Sequence, residues 1–270
     1  MTPLLRLTGV GKRYGSGEPV LAHVDLAVPA GRVIGVLGTN GSGKSTLLRI
    51  MAGVSRASYG EVAGRPAVGY LPDRFPGGQR LSARAYLRHL ARIRGIRDLS
   101  VIDPLLERLA LVGGPDAPLR TLSKGNAQKI GLAQAVLAAP DLLVLDEPWS
   151  GLDVGAHAVL GELVAETRAR GASVVFTDHR AAVVREHADD VHRLESGRLA
   201  LLDVQPEHTR ITLLPLSAEF GDWTAEPGVH TAVDEGDCVV LTVDAKHADA
   251  VLLRALSGGW SVREVTPCSP

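Results

Sequence analysis

Aromatic side chains make up only 4% of this 270-residue chain, and it holds just two cysteines. So few rings leave little on which nucleic-acid bases can stack. Cys238 and Cys268 stand outside every motif described below, which excludes a disulfide framework or a cysteine zinc site and suits a reduced setting. An excess of charge of either sign is also missing. The net charge is -1 with acids and bases interspersed, so no nucleic-acid partner is expected. No apolar stretch approaches the roughly 20 residues that span a bilayer as a helix, and no signal-peptide pattern opens the chain. Any membrane role is therefore expected to run through a partner. The nine histidines show no metal-binding spacing, and the closest pair, His187 and His192, does not share a helix face. Internal repeats and low-complexity tracts are absent too.

What remains is a globular composition, 45% apolar and 22% charged, in a length that allows one large core with a small appended domain. One stretch organises it. Gly38-Thr39-Asn40-Gly41-Ser42-Gly43-Lys44-Ser45-Thr46 follows the apolar run Val33-Ile34-Gly35-Val36-Leu37 and precedes Leu47-Leu48-Arg49-Ile50-Met51. A glycine turn between a buried strand and a helix is the setting of a phosphate-binding loop. Glycines let backbone N–H groups close around phosphates, and the helix start aims its positive end at the anion. Lys44 then reaches the β- and γ-phosphates, Ser45 offers a hydroxyl to Mg²⁺, and Thr46 adds a phosphate hydrogen bond.

Upstream, residues 4–10 and 18–28 read as strands, with Tyr14 between them as an ordinary strand-end aromatic or an adenine platform. Downstream come short strands at 60–62 and 67–70, then Leu71-Pro72-Asp73 and a loop over 74–78. Residues 82–94 read as a basic amphipathic helix with Leu87, Leu90 and Ile93 on one face, packed on its own domain or offered to a partner. A helix over 103–111 is closed by Gly113-Gly114-Pro115. Leu122-Ser123-Lys124-Gly125-Asn126 opens a long helix through Ala139. Ser123 with Gly125 at a helix start offers an anion site, although taken alone Ser123 is a simple cap.

A second apolar strand, from Asp141 to Asp146, ends in the paired carboxylates Asp146 and Glu147. Parallel sheets place catalytic groups at such carboxyl ends. Asp146 suits a Mg²⁺ ligand acting through water, and Glu147 a general base that polarises the attacking water. Ser150-Gly151-Leu152-Asp153 turns into a helix over 156–170. A buried strand at 173–177 then delivers Asp178-His179-Arg180 to the same edge, where His179 can reach a γ-phosphate. Residues 191–195 and 198–202 form a hairpin. Beyond Gln205-Pro206, strands at 211–216, 229–233, 238–243 and 260–265 with a helix at 245–256 suggest a small α+β module, and 266–270 a frayed end.

In this order the motifs resemble those of the nucleotide-binding subunit of ABC transporters, over roughly residues 4–202. Gly38 to Thr46, with Asn40, is similar to the Walker A motif. Leu142 to Asp146 with Glu147 resembles Walker B and the catalytic glutamate. Ser150 to Asp153 is similar to the D-loop, His179 to the switch histidine, and Tyr14 to the adenine-stacking aromatic. Residues 122–126 resemble the family signature. The resemblance implies an α/β fold: a P-loop NTPase core of ABC type with an antiparallel β subdomain and a helical subdomain over 1–204, then a small C-terminal α+β extension over 205–270. It further implies ATP and Mg²⁺, with Lys44, Glu147 and His179 in catalysis. Tyr14, Gly38, Asn40, Gly41, Gly43, Ser45, Thr46, Ser123, Gly125 and Asp153 would contact nucleotide, and Ser45, Asp146 and Asp73 the metal.

As partners the resemblance implies a separate integral-membrane permease and a head-to-tail homodimer formed with ATP, in which Ser123 and Gly125 of one subunit complete the γ-phosphate site of the other. The location implied is cytoplasmic, on the inner face of the membrane through the permease. Lys124 and Asn126 replace the commoner glycine and glutamine, a variant that resembles ATPases of drug and antibiotic exporters. Asp73 stands where the family usually has glutamine; it can bind a metal or water but cannot donate a hydrogen bond as an amide does. Two other readings remain: a soluble ABC-type ATPase acting on ribosomes or nucleic acid, which would carry coiled-coil insertions or tandem cassettes not found here, and an importer cassette.

Overall fold

The computed structural model describes residues 2–75, 80–202, 208–216 and 223–268. The chain forms two compact units, Met1–Leu202 and Asp203–Pro270. The junction expected at 204/205 and part of the loop expected at 74–78 lie outside the described residues.

The first unit contains strands β1 (Leu5–Lys12), β2 (Leu21–Val28), β3 (Val33–Leu37), β4 (Tyr59–Ala63), β5 (Val68–Leu71), β6 (Leu142–Asp146), β7 (Ser173–Asp178), β8 (Asp190–Glu195) and β9 (Arg198–Leu202). Its helices are α1 (Lys44–Met51), α2 (Ala83–Ile93), α3 (Ile102–Arg108), α4 (Lys124–Val136), α5 (Val154–Ala169) and α6 (Ala181–His187). A six-stranded sheet runs in the order β5-β6-β7-β3-β8-β9, parallel except for the last strand. Every residue of β3, β6 and β7 is buried, as near-continuous apolar strands covered on both faces must be.

Successive side chains of those strands feed opposite cores. Leu143, Leu145 and Phe176 pack with Leu71, Leu87 and Ile130 on one face. Leu142, Val144 and Val175 pack with Leu47, Leu48 and the antiparallel sheet β2-β1-β4 on the other. Each such fully buried side chain contributes about 1.5–3 kcal/mol of transfer free energy, more than enough to offset the weaker pairing of parallel strands. The layout brings the ends of β3, β5, β6 and β7 to one edge of the sheet. That edge carries the phosphate loop, Asp73, Asp146-Glu147 and Asp178-His179.

Several element boundaries differ from the sequence expectation. Helix α4 stops at Val136 because Pro140 restricts the residue before it, and Ala139 takes a left-handed φ of 44°. Ala110 does the same after α3, at φ 46°. On α2 the buried stripe is Ala83, Leu87 and Ala91, while Ile93 is 68% exposed at the C-terminal end. Part of the basic face of α2 is spent within the domain: Arg84 pairs with Asp103 and Asp116, and Arg88 with Asp103. Helix α6 was not expected from the sequence.

The second unit is a four-stranded antiparallel sheet in the order β11-β12-β10-β13, made of β10 (His208–Pro215), β11 (Val229–Asp234), β12 (Val239–Asp244) and β13 (Trp260–Cys268). Helix α7 (Ala248–Ser257) packs Val251 and Ala255 against Ile211, Leu241 and Val243. The expected helix begins as a 3-10 turn over Ala245–His247, and the expected frayed end is strand as far as Cys268, because β13 pairs along the length of β10. No helix among the described residues is long and apolar enough to cross a membrane.

Candidate active site

The loop between β3 and α1 is shaped by its glycines for different reasons. Gly41 and Gly43 hold positive φ angles of 83° and 103°. A Cβ at Gly38 would lie 2.7 Å from the Leu194 carbonyl oxygen, and one at Gly43 2.9 Å from that of Val20. Only glycine meets both demands. The Lys44 side chain is 5% exposed, and its Nζ donates to the carbonyls of Gly38 (2.8 Å) and Thr39 (3.1 Å).

Strands β6 and β7 set the carboxylates by their register, which pairs Asp146 with Thr177. Thr177 is the residue that sequence reasoning passed over. Its hydroxyl donates to Asp146 Oδ1 at 2.8 Å, and its Oγ1 accepts the backbone N–H of Glu147 at 3.0 Å. One side chain thus fixes both acids. Glu147 itself sits at φ 47°, a conformation that costs a non-glycine residue about 1–3 kcal/mol and is characteristic of functional turns. The turn is backed by Trp149, buried edge-on against Phe176 and stacked on the His187 ring. Glu147 Oε1 lies 3.5 Å from Lys44 Nζ, and Oε2 lies 3.9 Å from His179 Nδ1. A carboxylate held between an ammonium and an imidazole at a phosphate loop can accept a proton from water.

Asp146 is 1% exposed, and burial raises its pKa against the opposing hydrogen bonds of Ser45 and Thr177. Ser45 lies near enough to act on it, yet among the described residues Oδ2 has no partner of hydrogen-bonding geometry. A buried bare carboxylate oxygen beside a hydroxyl is a donor set that fits a small hard cation such as Mg²⁺. Burial also pushes Asp178 up, but hydrogen bonds from the Arg180 side chain and backbone outweigh it and hold the carboxyl below its usual range. Asp178 Oδ1 is 3.6 Å from His179 Nδ1, so it braces that ring as well.

A cleft of about 430 Å³ is lined by Asn40, Lys44, Thr46, Asp73, Lys124 and Glu147 among others, while His179 lines a neighbouring cleft with Gly38 and Thr39. Asp73 therefore faces the same cleft as the phosphate loop. Tyr14, Ser123, Gly125 and Asp153 are not among the residues that line the cleft. Tyr14 is 51% exposed with Lys12 Nζ 5.0 Å from its ring centroid. Ser123 caps α4 by accepting from Asn126 N at 3.2 Å, and Gly125 packs so tightly that a Cβ would meet the Gly151 carbonyl oxygen at 2.7 Å. Asn126 makes a paired hydrogen bond with the Val112 backbone, which braces the turn before Gly113. Asp153 caps α5 through Ala156 N at 2.8 Å and binds Lys129 Nζ at 2.9 Å, and these contacts lower its pKa.

Thr177→Val keeps the strand shape and removes both contacts of the hydroxyl. The expected result is a loss of about 1.5–3 kcal/mol of stability, since a hydrogen bond to a buried carboxylate is broken, together with a lower hydrolysis rate. Chemical denaturation and steady-state hydrolysis of the variant check both; unchanged values in both assays refute the bracing role.

A family model described as ABC transporter matches residues 21–150. An uncharacterised ABC transporter ATP-binding protein of Bacillus subtilis, YhaQ, is 34% identical over 207 residues, covering 72% of this chain and 69% of that protein. The zinc import ATP-binding protein ZnuC of Pseudomonas aeruginosa is 37% identical over 194 residues, 70% of each chain. A solved ATP-binding subunit of an ABC transporter superposes with a TM-score of 0.68 at 27% identity, covering 74% of this chain and 90% of that one. The fold is also that of the dimeric ATP-binding cassette MJ0796 in a post-hydrolysis state with ADP and phosphate, at a TM-score of 0.66 and 23% identity over 72% of this chain and 96% of that one.

Proposed function

Because the chain belongs to the ATP-binding subunits of ABC transporters, which are ATPases, we propose that it hydrolyses ATP as a head-to-tail homodimer to drive a separate membrane permease. The observation that carries this reading is the convergence of Lys44, Glu147 and His179 at the phosphate loop, with contacts of 3.5 and 3.9 Å. Lys44 holds the β- and γ-phosphates, and Glu147 takes the proton of the attacking water. His179, braced by Asp178, supports the γ-phosphate and steadies Glu147. Mg²⁺ would be held by Ser45 and Asp146, with Asp73 beside it, and supplies charge neutralisation on the phosphates. Ser123 and Gly125 at the N-terminus of α4 do not line the cleft of their own chain, although Lys124 between them does, which suits their donation to the nucleotide of a second copy. Asp153 and Tyr14 contact nucleotide only once that second copy or the adenine ring approaches.

Export is the proposed direction, supported by Lys124 and Asn126 in the signature. Import of a metal ion is the second reading, favoured by the 37% identity to a protein named for zinc import. The site lies on the inner face of the membrane in either case. The test loads the full chain with a non-hydrolysable ATP analogue and captures partners from a detergent extract of its native cells. An integral-membrane protein without a nucleotide domain is expected, and its reconstitution with this chain in vesicles should give ATP-dependent solute movement whose direction separates export from import. Recovery of ribosomes or nucleic acid instead overturns the transport reading and leaves the ATPase standing.

A further inference from the structure

Three ligating side chains meet in the C-terminal unit from three different strands. His208 lies at the start of β10, His230 on β11 and Asp244 at the end of β12, and one donor atom from each falls within 4.8 Å of the other two. His208 and Asp244 are direct cross-strand partners, so they project from the same face of the sheet. By alternation, that is the face opposite Ile211 and Leu241, away from the apolar core that α7 covers. His230 reaches them because β11 is bulged between Val229 and Thr231.

The contacts within the cluster are polar and close. His230 Nε2 is 2.6 Å from Asp244 Oδ1, the rings of His208 and His230 meet edge to face at 4.5 Å, and His247 Nδ1 lies 3.4 Å from Asp244 Oδ2. An ordinary ion pair accounts for His230 and Asp244. It does not account for His208, which is 6% exposed and keeps a buried Nδ1 with no hydrogen-bond partner among the described residues. Buried polar atoms are normally satisfied, and two imidazole edges gathered on one carboxylate are an unusual way to fill a sheet surface.

We propose that His208, Asp244 and His230 form a binding site for a divalent transition-metal ion of the zinc type, with His247 orienting the carboxylate from outside. Two imidazole nitrogens and one carboxylate oxygen suit such borderline ions, while Mg²⁺ and Ca²⁺ prefer oxygen alone. Three protein donors leave one of the four usual positions to water. Binding exchanges the His230–Asp244 hydrogen bond for two bonds to the metal and releases any proton held between them. The site lies wholly within the C-terminal unit and stands independently of the transport reading.

The test titrates the full chain with Zn²⁺ by calorimetry in excess Mg²⁺, which keeps the nucleotide site occupied by its own ion. One equivalent is expected to bind. Outer partners of metal ligands already cost 10–100-fold in affinity, so His208→Gln and His230→Gln should each weaken binding by at least about 100-fold while basal ATP hydrolysis, the folding control, is retained. The wild-type chain loaded with Co²⁺ provides a readout that needs no variant: visible ligand-field bands and imidazole scattering in X-ray absorption are expected. Failure of the wild type to bind Zn²⁺, wild-type affinity in both variants, or coordination by oxygen alone overturns the site.

Discussion

Replacing Glu147 with glutamine is expected to leave ATP bound and to slow hydrolysis by about 10²–10⁴-fold, the usual contribution of a general base. The amide has the shape of the carboxylate, so it keeps the left-handed turn between β6 and Trp149 and the backbone bond to Thr177. It cannot take a proton from water. It also removes a negative charge 3.5 Å from Lys44 Nζ, which leaves the ammonium freer for phosphate and should hold or raise ATP affinity. With turnover stopped, the ATP-bound dimer should accumulate and run as the larger species in size exclusion with MgATP. Turnover within tenfold of the parent chain removes Glu147 from its assigned role.

Lys44→Ala is expected to act in the opposite sense on that dimer. The Lys44 ammonium is almost wholly buried against the Gly38 and Thr39 carbonyls, and truncation leaves the loop with no cation at the place where phosphate charge must be met. Losing one preorganised donor of this kind costs about 10²–10³-fold in rate, and a lower ATP affinity is expected with it. No ATP-dependent dimer should then form. Equilibrium nucleotide binding and single-turnover hydrolysis measure the two effects separately, with far-UV circular dichroism to confirm folding; a Lys44→Ala variant that retains both functions would falsify the phosphate-loop assignment.

Sequence alone made the phosphate loop and the Asp146-Glu147 pair legible because each follows a continuous apolar run that only a doubly covered strand requires. Their chemistry sits at strand ends, where local pattern and tertiary position coincide. Thr177 was invisible for the opposite reason: threonine is a common strand residue, and its importance comes from the neighbour that parallel register gives it. Helix α6 spans only seven residues, too few for a periodic pattern to stand out. Ile93 was placed on a buried face by its spacing, but it falls at the last turn of α2, beyond the packed stripe. The histidine cluster of the C-terminal unit has no spacing signature at all, since antiparallel pairing and a bulge bring its members together from separate strands.

The strand order of the main sheet bears on how the chain is made. β3 carries the phosphate loop near the N-terminus, yet its two neighbours are β7, ending at Asp178, and β8, ending at Glu195. During synthesis the segment Val33–Leu37 waits for both partners until the chain has been extended through β7 and β8. Nascent chains that stop before β7 hold an unpaired, fully apolar strand, the kind of edge that invites aggregation and engages chaperones. The same long-range closure means that the strand beneath the phosphate loop completes its pairing only after β7 and β8 are made.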